Sequence, residues 1–224
     1  MREAYQSDLV TLVDDLVDLA GLARTALDDA TTALLESDIA LAERVIAADV
    51  NIDERQSELD AKVVELLARQ SPVATDLRLL VASLRISSSL ERMGDLAAHI
   101  ALVARRRHPV VAVPESLRDH VREMAELAST AATDAASVIR TRDLALAASV
   151  ENGDEKLDDM LQDIIRSINR ENDYTQDEVV DLTLLGRFYE RFGDHAVSIV
   201  RRVGFLVTGE ALDTEHATTD VSEF

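Results

Sequence analysis

Residues 91–100 read Glu91-Arg92-Met93-Gly94-Asp95-Leu96-Ala97-Ala98-His99-Ile100, and residues 190–199 read Glu190-Arg191-Phe192-Gly193-Asp194-His195-Ala196-Val197-Ser198-Ile199. Six of the ten positions are identical at an offset of 99 residues. A repeat of this length points to an internal duplication. A second pairing sets Asp53-Glu54-x-x-x-Glu58 against Asp154-Glu155-x-x-x-Asp159 at an offset of 101, so the halves are expected to differ by two residues in the intervening loop.

Both motifs lie in segments that read as helix. Gly (7) and Pro (3) are too scarce to supply the turns a sheet requires, so the expectation is an all-α chain. Leu9, Leu12, Val13, Leu16, Leu19 and Ala20 recur at helical spacing in a first helix ending near Leu35. Ser37-Asp38 caps a second helix over 39–69, and Ser71-Pro72 stops it. A third runs over 73–107 to His108-Pro109, and Pro114 opens a fourth, to about Thr141, at its first position. Asp143 caps a fifth, to about Asn172, and Thr175-x-x-Glu178 is a capping box for a sixth that ends at Thr208-Gly209. The reading is therefore two tandem three-helix bundles, residues 1–108 and 109–209, related by duplication. Residues 210–224 hold five acids and no Lys or Arg, and are expected to form a disordered tail.

Composition excludes several functions. With 23 basic and 43 acidic residues the net charge is −20, which opposes nucleic-acid and direct anionic-membrane binding. The 47% apolar content suffices for a packed core. Cysteine is absent, so any metal must be held by carboxylate, His or water. Neither a leader pattern nor a membrane-spanning stretch is found, and a cytoplasmic location is expected.

The recurring chemical feature is an acid followed four residues later by another: Glu91/Asp95, Glu190/Asp194, Glu54/Glu58 and Glu155/Asp159. Residues four apart share one helix face, and like charges there repel. Exposed helix faces carry many acids, so a solvated surface explains any single pair. In the third helix, however, both acids interrupt the small and apolar line Leu77, Val81, Leu84, Ser88, Ala98, Leu102. Carboxylates in such a line need an arginine or a cation. A set of oxygen donors suits iron, manganese, magnesium or zinc. The Glu-x-x-His signature of di-iron bundles is absent, although His99 falls one turn beyond Asp95. Gly94 and Gly193 cost helix stability, and suggest close backbone approach or space beside the acids. Arg92 and Arg191 are placed to pair with neighbouring carboxylates, and Arg105-Arg106-Arg107 complements a helix dipole or touches a partner.

The duplicated Glu-Arg-x-Gly-Asp-x-Ala motif, preceded in the first copy by Pro72-Val73-Ala74-Thr75-Asp76-Leu77-Arg78, resembles the PhoU family of phosphate-signalling proteins over about residues 3–209, including Phe205-Leu206-Val207-Thr208-Gly209. The resemblance implies acidic motifs able to bind multinuclear iron or zinc clusters, with manganese or magnesium as alternatives. By position it carries over metal ligands at Glu91, Asp95, Glu190 and Asp194, at Glu54 and Glu58, at Glu155 and Asp159, and one turn earlier at Asp49 and Glu151. It further implies a cytoplasmic negative regulator that couples a high-affinity phosphate ABC transporter to a two-component sensor kinase and meets the membrane only through partners. A homodimer is also expected. The chain departs from the family at His99 and Ser198, where Asn is frequent, and at Gly153, which is expected to shorten the fifth helix.

Three functions compete. The first is a signalling adaptor without catalytic residues, supported by the lack of Cys, of a nucleophile–base pairing and of a glycine-rich phosphate loop. The second is a carboxylate-bridged metalloenzyme, and the third a metal-free structural bundle whose acids only solubilise it. The residues together favour the adaptor.

Overall fold

A computed structural model describes residues 2–170 and 174–210. Six long helices account for nearly all of them: α1 (Arg2–Glu36), α2 (Ile39–Gln70), α3 (Ala74–Arg107), α4 (Arg118–Thr141), α5 (Leu144–Arg170) and α6 (Gln176–Thr208). No strand occurs among the described residues. The expected tail beyond Glu210 and the expected end of the fifth helix at Asn172 lie outside the described residues.

Local chemistry explains most boundaries. The Asp38 carboxylate accepts from the Leu41 backbone N–H at 3.0 Å, and the Asp143 carboxylate accepts from Ala145 and Leu146. Each cap follows a residue in the left-handed region, Ser37 (φ 56°) and Arg142 (φ 58°), which reverses the chain between helices. Thr175 and Glu178 form the reciprocal capping box, and Gly209 closes α6 with φ 75°. Pro114 opens a short 3-10 turn (Glu115–Leu117) instead of standing at the first position of α4. Gly153 does not shorten α5, which runs unbroken through it. One mid-helix glycine costs only about 1 kcal/mol, which the buried face of α5 offsets.

The helices α1, α3, α4 and α6 form a central four-helix core. Helix α2 packs on α1 and α3, and α5 on α4 and α6. Buried side chains expose the duplication in full. On α1 and on α4 with the 3-10 turn before it, Leu12/Leu117, Leu16/Val121, Leu19/Met124 and Ala23/Ala128 correspond at an offset of 105. On α2 and α5 the same offset pairs Ala42/Ala147, Val45/Val150, Ile52/Leu157 and Leu59/Ile164. On α3 and α6 the offset is 99: Ile86/Leu185, Leu90/Tyr189, Met93/Phe192 and Ala97/Ala196. The 101-residue pairing of the second and fifth helices is thus corrected to 105. The halves differ by six residues around the α5–α6 connection.

Helices α3 and α6 run antiparallel across the centre. Arg106 and Arg107 pair with Asp181 at one end, the His99 and Phe188 rings stack at 5.3 Å, and Arg78 lies against Gly209 at the other end. The arginine run that closes α3 therefore holds the two helices together as well as facing its own helix terminus.

Candidate functional site

Two acidic clusters sit where an outer helix meets its half's last helix. In the first, Asp49 and Asp53 on α2 face Glu91 and Asp95 on α3. Burial and the charges of Asp95 and Asp53 raise the Asp49 carboxyl above its ordinary value, with His99 opposing. Burial, then Asp95, raises Glu91, against the pull of Arg92 and with smaller contributions from Asp53 and Asp49. Arg92 bridges the α3 pair, 2.8 Å from Asp95 and 3.5 Å from Glu91.

The second cluster repeats the arrangement with Asp154 and Asp158 on α5 and Glu190 and Asp194 on α6. It is drier. Burial, then Asp194 and Asp158, pushes Asp154 up to about 6. Burial, then Asp194, pushes Glu190 up to about 7 although Arg187 pairs with it. The Glu190 Oε2 atom is buried without a hydrogen-bond partner. A carboxyl kept neutral fits that environment better than a charged one. Asp194 is also raised, by burial and Asp158, while Arg187, Arg191 and Arg201 lower it.

The motif glycines explain how the helices come this close. A Cβ at Gly94 would stand 2.8 Å from Ile52 Cδ1 and 3.3 Å from Asp49 Oδ1. A Cβ at Gly193 would stand 2.4 Å from Leu157 Cδ1 and 3.4 Å from Asp154 Oδ1. In each half the glycine admits one apolar side chain and one acid of the neighbouring helix. That pair of contacts repeats at the 105-residue offset.

Of the acids expected from sequence, Glu91, Asp95, Glu190, Asp194 and Asp49 join the clusters. Glu54, Glu58, Glu155 and Asp159 do not: the α2 and α5 acids whose charges reach Glu91, Glu190 and Asp194 are Asp49, Asp53, Asp154 and Asp158. The difference has a simple cause. One residue turns a helix by about 100°, so a pairing displaced by one residue selects the wrong face. Glu151 instead pairs with Arg201 at 3.2 Å. Asp53, Asp154 and Asp158 were signalled by the i, i+4 pairs Asp49/Asp53 and Asp154/Asp158, which recur at the offset of the capping residues Asp38 and Asp143. The α3 line through Leu77, Val81 and Ser88 is exposed, so its acids stand at the rim of the core.

A carboxylate-only donor set, with one buried unpartnered oxygen, fits a hard or borderline cation. Among the described residues, however, no three acidic or histidine side chains converge closely enough to hold a metal ion as they stand. The arginines Arg92 and Arg187 occupy part of each cluster instead.

Comparison with known proteins places the chain in a family. The model of the PhoU domain matches residues 16–104 and again 121–203, once over each acidic cluster. The chain belongs to the PhoU family. It is 40% identical to the phosphate-specific transport system accessory protein PhoU homolog 1 of Mycobacterium leprae (strain TN) over 93% of this chain and 95% of that one. It is also 40% identical to PhoU homolog 2 of Mycobacterium tuberculosis (strain ATCC 25618 / H37Rv), over 93% and 99% of the two chains. Among solved structures, PhoU from Pseudomonas aeruginosa superposes with a TM-score of 0.82 at 27% identity, covering 92% of this chain and all of the other. The phosphate transport system regulatory protein PhoU from Streptococcus pneumoniae gives 0.83 at 25% identity, over 93% and 99%. These PhoU structures share the helical architecture. No helix among the described residues is long and apolar enough to cross a membrane.

Proposed function

We propose that this chain is a cytoplasmic negative regulator of phosphate-starvation signalling and phosphate uptake, and that it acts by docking and not by catalysis. The observation that carries this reading is 40% identity along nearly the whole chain to proteins named as accessory to phosphate-specific transport. In this role the helical surface engages the cytoplasmic ATPase side of a phosphate ABC transporter and a sensor histidine kinase. It suppresses kinase output when phosphate is plentiful. The regulator works as a homodimer.

The acidic clusters are the second part of the proposal. Asp49, Asp53, Glu91 and Asp95 would hold iron or zinc in one half, and Asp154, Asp158, Glu190 and Asp194 in the other, after their arginines swing away. A bound cation supplies the positive charge that four facing carboxylates lack. The chain's own contribution is to hold those carboxylates on two closely packed helices. The high proton affinity of Glu190 and Asp154 makes occupancy compete with protons.

The test is co-purification of the tagged chain with the transporter ATPase and the kinase, alongside a phosphate-starvation reporter in a strain lacking the gene. Binding to both partners, with a reporter switched on by deletion and silenced by the restored gene, is the expected result. A reporter indifferent to deletion, or no partner retained, overturns the adaptor reading.

A further inference from the structure

Cations are outnumbered nearly two to one in this chain, with 23 Lys and Arg against 43 acids, yet several gather on the α3–α6 seam. Arg78, Arg85 and Arg92 recur every seven residues on α3, which places them on one helix face. His195 and Arg202 on α6 are also seven apart. The antiparallel register is anchored by Arg106–Asp181, His99–Phe188 and Arg78–Gly209, the α6 number falling by seven as the α3 number rises by seven. The same steps set Arg85 opposite Arg202 and Arg92 opposite His195.

The electrostatics agree with this register. Arg202 feels burial and then the like charge of Arg85, the residue set opposite it. Arg85, Arg191 and Arg202 form no ion pair among the described residues, and the Arg202 Nε–H is buried with no acceptor. A desolvated donor of this kind calls for an acceptor. Arg92 is paired with Glu91 and Asp95, but the mutually repelling Arg85 and Arg202, the latter with a desolvated donor, lack an anion.

We propose that the α3–α6 seam at Arg85, Arg202, Arg92 and His195 binds free inorganic phosphate. Guanidinium forks match tetrahedral oxyanions with paired hydrogen bonds. The site spans one heptad, about 10 Å of helix, which suits a compact anion. Glu91 and Asp95 on one side and Glu190 and Asp194 on the other would repel an extended acidic segment laid across the seam. This site borders the first acidic cluster, with which it shares Arg92, and goes beyond the regulatory reading. It can fail while that reading stands, because its test needs neither transporter nor kinase.

The experiment is calorimetric titration of the full chain, treated with chelator, with inorganic phosphate at constant ionic strength. The expected result is saturable binding that weakens at least about tenfold in the R85Q/R202Q double variant and is unchanged in R140Q/R166Q, whose arginines lie off the seam. Thermal melting supplies a second readout. Without phosphate the double variant should melt at or above the parent temperature, because like charges have been removed, and only the parent should gain from added phosphate. No saturation up to about 10 mM, or equal affinity in parent and double variant, overturns the proposal. So does binding of a peptide of residues 210–224, lost in the double variant, when phosphate itself is inert.

Discussion

Arg107 of α3 pairs with Asp181 of α6, whose side chain is only 3% exposed, so the two halves of the molecule are joined through a buried carboxylate. Arg106 reaches the same carboxylate from a side chain that is 57% exposed. Replacing Asp181 with Asn should destabilise the chain by about 3 kcal/mol, because Arg107 is left without its buried partner. Arg106→Ala should cost less than about 1 kcal/mol, since an exposed cation is well solvated alone. Urea unfolding of the two variants checks the difference.

A second tie between the halves is a hydrogen bond. The Tyr189 hydroxyl on α6 stands 2.9 Å from Thr31 Oγ1 on α1, and Thr31 itself donates to the Leu27 carbonyl. The tyrosine is therefore the donor, and burial raises its pKa far above the ordinary phenol value. Thr31→Val should lose about 1–2 kcal/mol by stranding that hydroxyl, and Tyr189→Phe in the Thr31→Val background should recover part of the loss. A double-mutant cycle by thermal melting measures it.

Glycine substitutions should separate by position. Gly21 and Gly153 have nothing within 4 Å of an added Cβ, so Ala at either should raise stability by about 0.5–1 kcal/mol through helix propensity. Gly193→Val should destabilise by about 1–3 kcal/mol, because the side chain would drive Leu157 out of its place. A melting series over the three variants would contradict the packing argument if Gly193→Val proved the most stable.

Acid should stabilise the second cluster. Glu190 and Asp154 bind protons more tightly folded than unfolded, so between pH 4.5 and about 7 the native state holds more protons. Their contribution is favourable below that window and is lost as pH rises through it. In metal-free protein, E190Q should flatten the pH dependence of unfolding free energy across the window by about 2 kcal/mol. An unchanged slope would mean that Glu190 is ionised throughout.

Metal retention should follow the observed faces. D53N/D158N should reduce iron or zinc retained after reconstitution, while E54Q/E155Q should leave it at the parent level. Elemental analysis of both variants decides between the two adjacent faces of α2 and α5. Loss only in E54Q/E155Q would return the site to the outer face.

The same contrast shows what was legible beforehand. Asp38, Asp143, Thr175 and Gly209 act on backbone groups within a few residues, so helix limits follow from neighbouring letters. The Glu91/Asp95 and Glu190/Asp194 motifs carried their own glycine, and their repeat at 99 was visible without coordinates. The acids of α2 and α5 were marked only by the i, i+4 pairs Asp49/Asp53 and Asp154/Asp158, without a glycine shared by both copies. Asp53-Glu54 and Asp158-Asp159 are adjacent acids, and composition does not say which of two neighbours turns inward.

Periodicity, capping and repetition are local properties, so an all-helical chain with a duplicated acidic motif follows from neighbouring residues alone. Tertiary structure decided which carboxylates meet. Ile52 lies under Gly94 and Leu157 under Gly193, and those contacts select one helix face where a one-residue slip rotates the acids by about 100°. It also decided that Arg85 stands opposite Arg202. That placement depends on the antiparallel register of two helices about a hundred residues apart in sequence, set by the Asp181 pairs at one end of the seam and the Arg78–Gly209 contact at the other.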